Sequence, residues 1–156
     1  MDRKQPKQNR TRTALILLTI LIFLMLVFIW GNSILPASFS SKISAFAARL
    51  LGKDPAETQT QVRKAGHFTE FFALGAVMGL FVPLRGRKGK ELAMLLALPG
   101  LFVPLMDETI QMFNDRGPQV LDIWIDIAGY TCGCLLMLLA VSLVRFFRRN
   151  RMERDK

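Results

Sequence analysis

Very little in this chain offers the chemistry of a soluble enzyme. Among 156 residues there are two cysteines and one histidine. Cys132 and Cys134 lie two apart within an apolar run. Residues two apart on a helix do not face each other, so a local disulfide is disfavoured, and nothing nearby completes a metal-binding pair. They read as small apolar side chains turned to lipid or core. Thr69 and Thr109 sit in no activating pattern, so no nucleophile is evident. There is no internal repeat and no low-complexity segment. Acids are scarce as well: 12 Asp and Glu stand against 21 Lys and Arg, for a formal net charge of +9.

What is plentiful is apolar sequence. Hydrophobic residues make up 51% of the chain, and the mean hydropathy is +0.31. A basic, apolar chain either binds nucleic acid or spans a membrane, and the distribution of charge decides between them. Here the bases fall in blocks between apolar runs, not in a stripe interleaved with aromatics, which disfavours nucleic acid. Four runs qualify as spans: about 13–30, 66–84, 91–106 and 123–144. About 20 apolar residues cross a bilayer. The first run follows a basic start, as a signal peptide would. Signal-peptide apolar cores are only about 7–15 residues long, so an uncleaved helix is expected. The third run is short and holds Pro99, Gly100 and Pro104. Such breaks are tolerated when neighbouring helices satisfy the freed backbone groups. This helix is expected to extend past Asp107 toward Phe113.

Between the first two spans, Ile43, Phe46, Ala47, Leu50 and Leu51 follow the spacing of an amphipathic helix. Ser40 or Ser41 would cap its start and Gly52 would end it. It is too short and polar to span, so it is expected at the membrane interface or over the helix ends. The expected fold is therefore all-α: a polytopic bundle of four transmembrane helices plus this short helix. Residues 1–12 and 145–156 form basic tails around a transmembrane domain at 13–144.

Charge then sets orientation. The amino-terminal tail holds five Lys and Arg, the loop 85–90 four, and the tail from Arg145 six, which is fifteen of the 21. The other two inter-span segments hold five and one. Alternation of this kind predicts four spans with both termini on the cytoplasmic side. The tails would attract anionic lipids.

The unusual residues are ionisable groups at the ends of apolar runs. They read Lys64-x-x-His67-x-x-Glu70, then Asp107-Glu108-x-x-Gln111-x-Phe113-x-x-Arg116, then Asp122-x-x-x-Asp126. A charged side chain at the bilayer centre costs roughly 2.5–3.5 kcal/mol on insertion scales, and such residues are usually functional. The predicted topology brings all three groups to the outer leaflet. Helical spacing pairs His67 with Glu70, Asp107 with Gln111, and Asp122 with Asp126. Two like charges about 4 Å apart repel by about 4 kcal/mol at an effective dielectric near 20, so five neighbouring acids need compensation. Protonation, separation, water, Arg116 or a bound cation would each supply it. Gly129 and Gly133 continue the Asp126 face, and Gly75 and Gly79 form a second small-residue pair on helix two. All four read as packing positions.

These motifs together resemble the VanZ-like family of small bacterial membrane proteins. The resemblance rests on Lys64-x-x-His67-Phe68-x-Glu70-Phe71, on Asp107-Glu108-x-x-Gln111-x-Phe113 with Arg116 after two rather than three intervening residues, and on Asp122-x-x-x-Asp126-x-x-Gly129. It covers about residues 63–133, and the span layout extends it over most of the chain. The resemblance implies a multi-pass protein of the bacterial cytoplasmic membrane. The family's namesake is linked to resistance to the glycopeptide teicoplanin, and no reaction comes with the family.

Three functional readings follow. In the first, His67, Glu70, Asp107, Glu108 and Asp126 form an acid–base or ligand-binding site for an envelope component, a cell-wall precursor or lipoglycopeptide, with Lys64, Gln111, Arg116 and Asp122 in binding or structural roles. A divalent cation held by the carboxylates and histidine is one version of it. In the second, the same cluster is a structural clamp, with Arg116 on Asp122. In the third, the acids serve a proton- or ion-coupled carrier.

Overall fold

The computed structural model describes residues 5–114 and 119–154. They form five α-helices, and no strand occurs among them: α1 (Gln5–Ile34), α2 (Ala37–Leu50), α3 (Pro55–Leu84), α4 (Gly89–Met112) and α5 (Val120–Arg154). All but α2 are long and apolar enough to cross a membrane. Even α4, with 24 residues, is about 36 Å long at 1.5 Å per residue, against a hydrocarbon core of about 30 Å.

Each long helix outruns its apolar segment. α1 begins at Gln5 and ends at Ile34, where Leu35-Pro36 stops it. α3 begins at Pro55, eleven residues before the apolar run. The Asp54 side chain accepts a hydrogen bond from Ala56 N at 2.9 Å, Pro55 takes the first turn, and Glu57 adds an acid there. These are strong start signals of capping and not of hydropathy. α4 runs through Pro99 and Pro104 to Met112, with Phe113 at its C-cap, as the sequence predicts. Near the Pro99 interruption the Tyr130 hydroxyl donates to Leu96 O at 2.9 Å. α5 stays helical through Arg154, so the basic residues 145–154 continue the helix.

α2 corrects one expectation in its details. Pro36, not Ser40 or Ser41, stands at its N-cap. Its end does involve Gly52, whose φ of 68° lets Gly52 N reach Arg49 O and Lys53 N reach Ala48 O. That is a Schellman closure. The buried face is Ser40, Ser44 and Ala48. The apolar stripe is turned outward, with Ile43 at 50%, Phe46 at 63% and Leu50 at 73% exposure.

α3 is the central helix. It touches every other helix and packs most extensively on α5. Of its apolar window 44% is buried, against 6% for α1. The shared core is Ile29, Phe71, Leu74, Met78, Val82, Leu96, Val103, Tyr130 and Cys134. Cys134 donates to Gly75 O at 3.2 Å, and Cys132 is exposed, so both thiols are free.

Glycine makes the α3–α5 contact possible. A methyl at Gly75 would overlap Tyr130 O, and one at Gly133 would overlap Phe72 O. Gly129 stands nearly as close to Phe68 O. The two backbones therefore touch, as small-residue pairs allow in membrane helices.

Leucine at Gly75 or Gly133 should force the helices apart. Overpacking costs about 1–3 kcal/mol, and more where backbone must move. Both variants should melt at lower temperature in detergent. Gly31→Leu, where nothing lies within 4 Å, should melt like the parent. Indistinguishable melting of all three would refute the contact.

Candidate functional site

Close approach of α3 and α5 carries polar side chains inward at one end of the bundle. His67 lies on α3 next to Phe68, and Asp126 lies on α5 one turn from Gly129. His67 Nδ1 is 3.3 Å from Asp126 Oδ1 and 3.9 Å from Asp107 Oδ2 of α4. The three ionisable groups read from the sequence thus converge, each from a different helix. Their exposures are 6% for His67, 1% for Asp107 and 0% for Asp126.

Around this centre, hydrogen bonds tie the helices together. Gln111 Nε2 donates to Asp107 Oδ2 at 2.8 Å, as their i, i+4 spacing predicts. The Ser33 hydroxyl of α1 donates to Asp107 Oδ1. Asn32 Nδ2, also from α1, donates to Glu70 Oε1 at 3.4 Å. Glu108 is buried, and its Oε2 accepts from Gln119 N at 3.1 Å. Asp122, 2% exposed, pairs with Arg63 of α3 at 3.1 Å.

Arg63 is the main residue that the sequence reading passed over. It is i, i+4, i+7 with His67 and Glu70, so one helix face carries all three. That signal was hidden because the apolar run begins only at residue 66. Arg116 and Asp115 lie outside the described residues, so the expected Arg116–Asp122 clamp lies there too. The partner that Asp122 has among the described residues is Arg63. Lys64 is half-buried and forms no ion pair among them. Ser33 and Asn32 were also passed over. They follow Trp30, where the first span was expected to stop.

The hydrogen bonding is uneven. Asp107, Gln111 and Glu70 have partners. His67 Nδ1 and both oxygens of Asp126 have no hydrogen bond among the described residues, and neither do Glu108 Oε1 and Asp122 Oδ1. The His67–Asp126 pair is close but not aligned for one. An unmet buried polar atom is costly and calls for an explanation.

Two cavities adjoin the cluster. One, of about 160 Å³, lies between α1, α2 and α3 and is lined by Asn32, Ser40, Ile43, Ser44, Ala47, Val62, Arg63, Gly66, His67 and Glu70. The other, of about 350 Å³, is a groove between α1 and α3 lined by Leu24, Met25, Phe28, Ile29, Thr69, Glu70 and Ala73. Glu70 borders both.

Removing Arg63 should strand the Asp122 carboxylate. Breaking a buried pair from one side costs about 3–5 kcal/mol, and the 26% exposure of Arg63 puts this pair at or below the lower end. Arg63→Ala should therefore lower Tm, and Arg63→Ala with Asp122→Ala should recover part of the loss. Additive losses in that double-mutant cycle would show that the pair does not couple α3 to α5.

A comparison with curated proteins finds no match, and neither does one with solved structures. The sequence profile of the VanZ/LLP1 family does match, over residues 13–143. That stretch takes in all four spanning segments and every buried ionisable group described above, and the chain belongs to the VanZ/LLP1 family.

Proposed function

We propose that this protein binds, and acts through acid–base chemistry on, an amphiphilic component of the bacterial cell envelope at the outer face of the cytoplasmic membrane. Both termini are cytoplasmic in this reading, because the basic blocks alternate along the chain. The outward apolar stripe of α2 then rests in the interfacial layer of the bilayer.

The observation that carries the reading is the pair of cavities meeting at Glu70. The groove between α1 and α3 is almost wholly apolar and suits an acyl or prenyl chain. The pocket above it has a polar floor of Glu70, His67 and Arg63. At about 30 Å³ per water it holds roughly five waters, well below the ~300–1,000 Å³ of a whole drug-like ligand. It therefore takes a headgroup fragment. Arg63 keeps an Nε–H without a partner among the described residues, a donor suited to phosphate. His67 beside carboxylates is suited to proton transfer at neutral pH. A lipid-linked wall precursor has this combination of chain and phosphate, and so would connect the protein to glycopeptide susceptibility.

The clamp reading accounts for Arg63 with Asp122 and for Gln111 and Ser33 with Asp107. It leaves without a purpose the buried His67 and Asp126 atoms that have no hydrogen bond among the described residues. The carrier reading needs a polar path across the bundle. The core away from the cluster is Leu74, Met78, Val82, Leu96, Tyr130 and Cys134, with no carboxylate, histidine, lysine or arginine among these.

The test compares wild type, His67→Ala and Glu70→Gln at matched membrane levels in a strain lacking the protein. Teicoplanin susceptibility and co-purified lipid-linked precursor, read by mass spectrometry, are measured. Both variants should behave like the empty strain and carry no precursor. Wild-type behaviour in both would sink the proposal.

A further inference from the structure

The donor set at the centre of the bundle has a geometry of its own. Three side chains from three helices, His67, Asp107 and Asp126, offer one nitrogen and two oxygens within 4.8 Å of one another. All three are buried. Zinc–nitrogen and zinc–oxygen bonds are about 2.0–2.2 Å long, so two ligands on one tetrahedral ion lie roughly 3.3–3.5 Å apart. His67 Nδ1 and Asp126 Oδ1 are 3.3 Å apart, and His67 Nδ1 and Asp107 Oδ2 are 3.9 Å apart. The first distance is that of two ligands on one tetrahedral ion, the second is longer, and all three donor atoms lie within 4.8 Å of one another. Asp126 is wholly buried, and both its oxygens lack a hydrogen bond among the described residues, as does His67 Nδ1.

We propose that His67, Asp107 and Asp126 bind one divalent transition-metal ion, of the zinc or manganese class, inside the helix bundle. A neutral imidazole and two carboxylates carry two negative charges, which a divalent ion cancels. Mixed nitrogen and oxygen donors select such ions over soft monovalent copper. The free thiols of Cys132 and Cys134 are not part of the set.

The surroundings are those of a metal ligand. Ser33 donates to Asp107 Oδ1 and Gln111 donates to Asp107 Oδ2, so the carboxylate is oriented by outer partners, as metal-ligating carboxylates are. Three protein ligands leave a coordination position open, as in catalytic sites and unlike closed structural ones. His67 also lines the pocket beneath α2, which gives water or a ligand a route to that position. The metal site rests on donor geometry and not on the envelope-ligand reading, so either can fail without the other; with an ion bound, His67 is a ligand and proton transfer falls to Glu70, which lines the same pocket.

The test uses full-length protein in detergent, purified through a tag without histidine and treated with chelator. Zinc, manganese and cobalt chlorides are added by equilibrium dialysis, and bound metal is counted by mass spectrometry. One ion per chain is expected, with a tetrahedral or five-coordinate absorption band for cobalt and a raised Tm. Asp126→Asn and His67→Gln should each lose the ion. Gln111→Ala should weaken binding about 10–100-fold, the usual effect of an outer partner. Glu57→Gln, far along α3, should bind like wild type. Failure of the wild-type protein to take up a stoichiometric ion overturns the proposal, whatever the variants do. So does full binding by both ligand variants when they elute and melt like folded protein.

Discussion

Backbone contact between α3 and α5 is the constraint on which the rest depends. Gly75, Gly129 and Gly133 remove the side chains that would hold the two helices apart. In a bilayer there is no hydrophobic drive between helices, so close packing and polar contacts must hold the bundle together. The glycines supply the packing, and the same closeness sets His67 beside Asp126. Packing and chemistry are here one geometric fact. α3 sits at the centre because it alone faces every other helix.

The buried polar groups divide into two kinds. Arg63 with Asp122, Gln111 and Ser33 with Asp107, Asn32 with Glu70, and Gln119 with Glu108 join one segment to another or one turn to the next. They fix side chains in place. His67 Nδ1 and Asp126 are held in position yet left without hydrogen bonds. A site with fixed walls and unspent donors and acceptors at its centre is pre-organised for a ligand.

Much of this was legible in the sequence, for definite reasons. Ionisable residues are rare in apolar runs, so His67, Glu70, Asp107, Glu108, Asp122 and Asp126 stood out without any structure. Their i, i+3 and i, i+4 spacings gave correct faces, and the Asp107–Gln111 pair is the clearest case. Arg63 did not stand out, because α3 was measured by its apolar run and the Asp54-Pro55 start signal lies eleven residues earlier. α2 was legible as an amphipathic helix, but periodicity does not say which face turns inward. Serine and alanine face the bundle and phenylalanine faces out, the reverse of a water-soluble domain. Distances between helices come from neither hydropathy nor charge, so the three-residue centre needed coordinates.

The Arg63–Asp122 pair closes a loop of 59 residues, and His67 finds Asp126 across the same gap. At about 5–20 residues per second, synthesis of that gap takes several seconds. During that interval α3 and α4 are made, but the helix that completes their polar centre is not. Asp107 can already meet Ser33 and Gln111 by then, but His67 must wait, costly and without Asp126, until α5 arrives. Order of synthesis thus becomes part of the folding problem: the bundle's most extensive contact is also its latest.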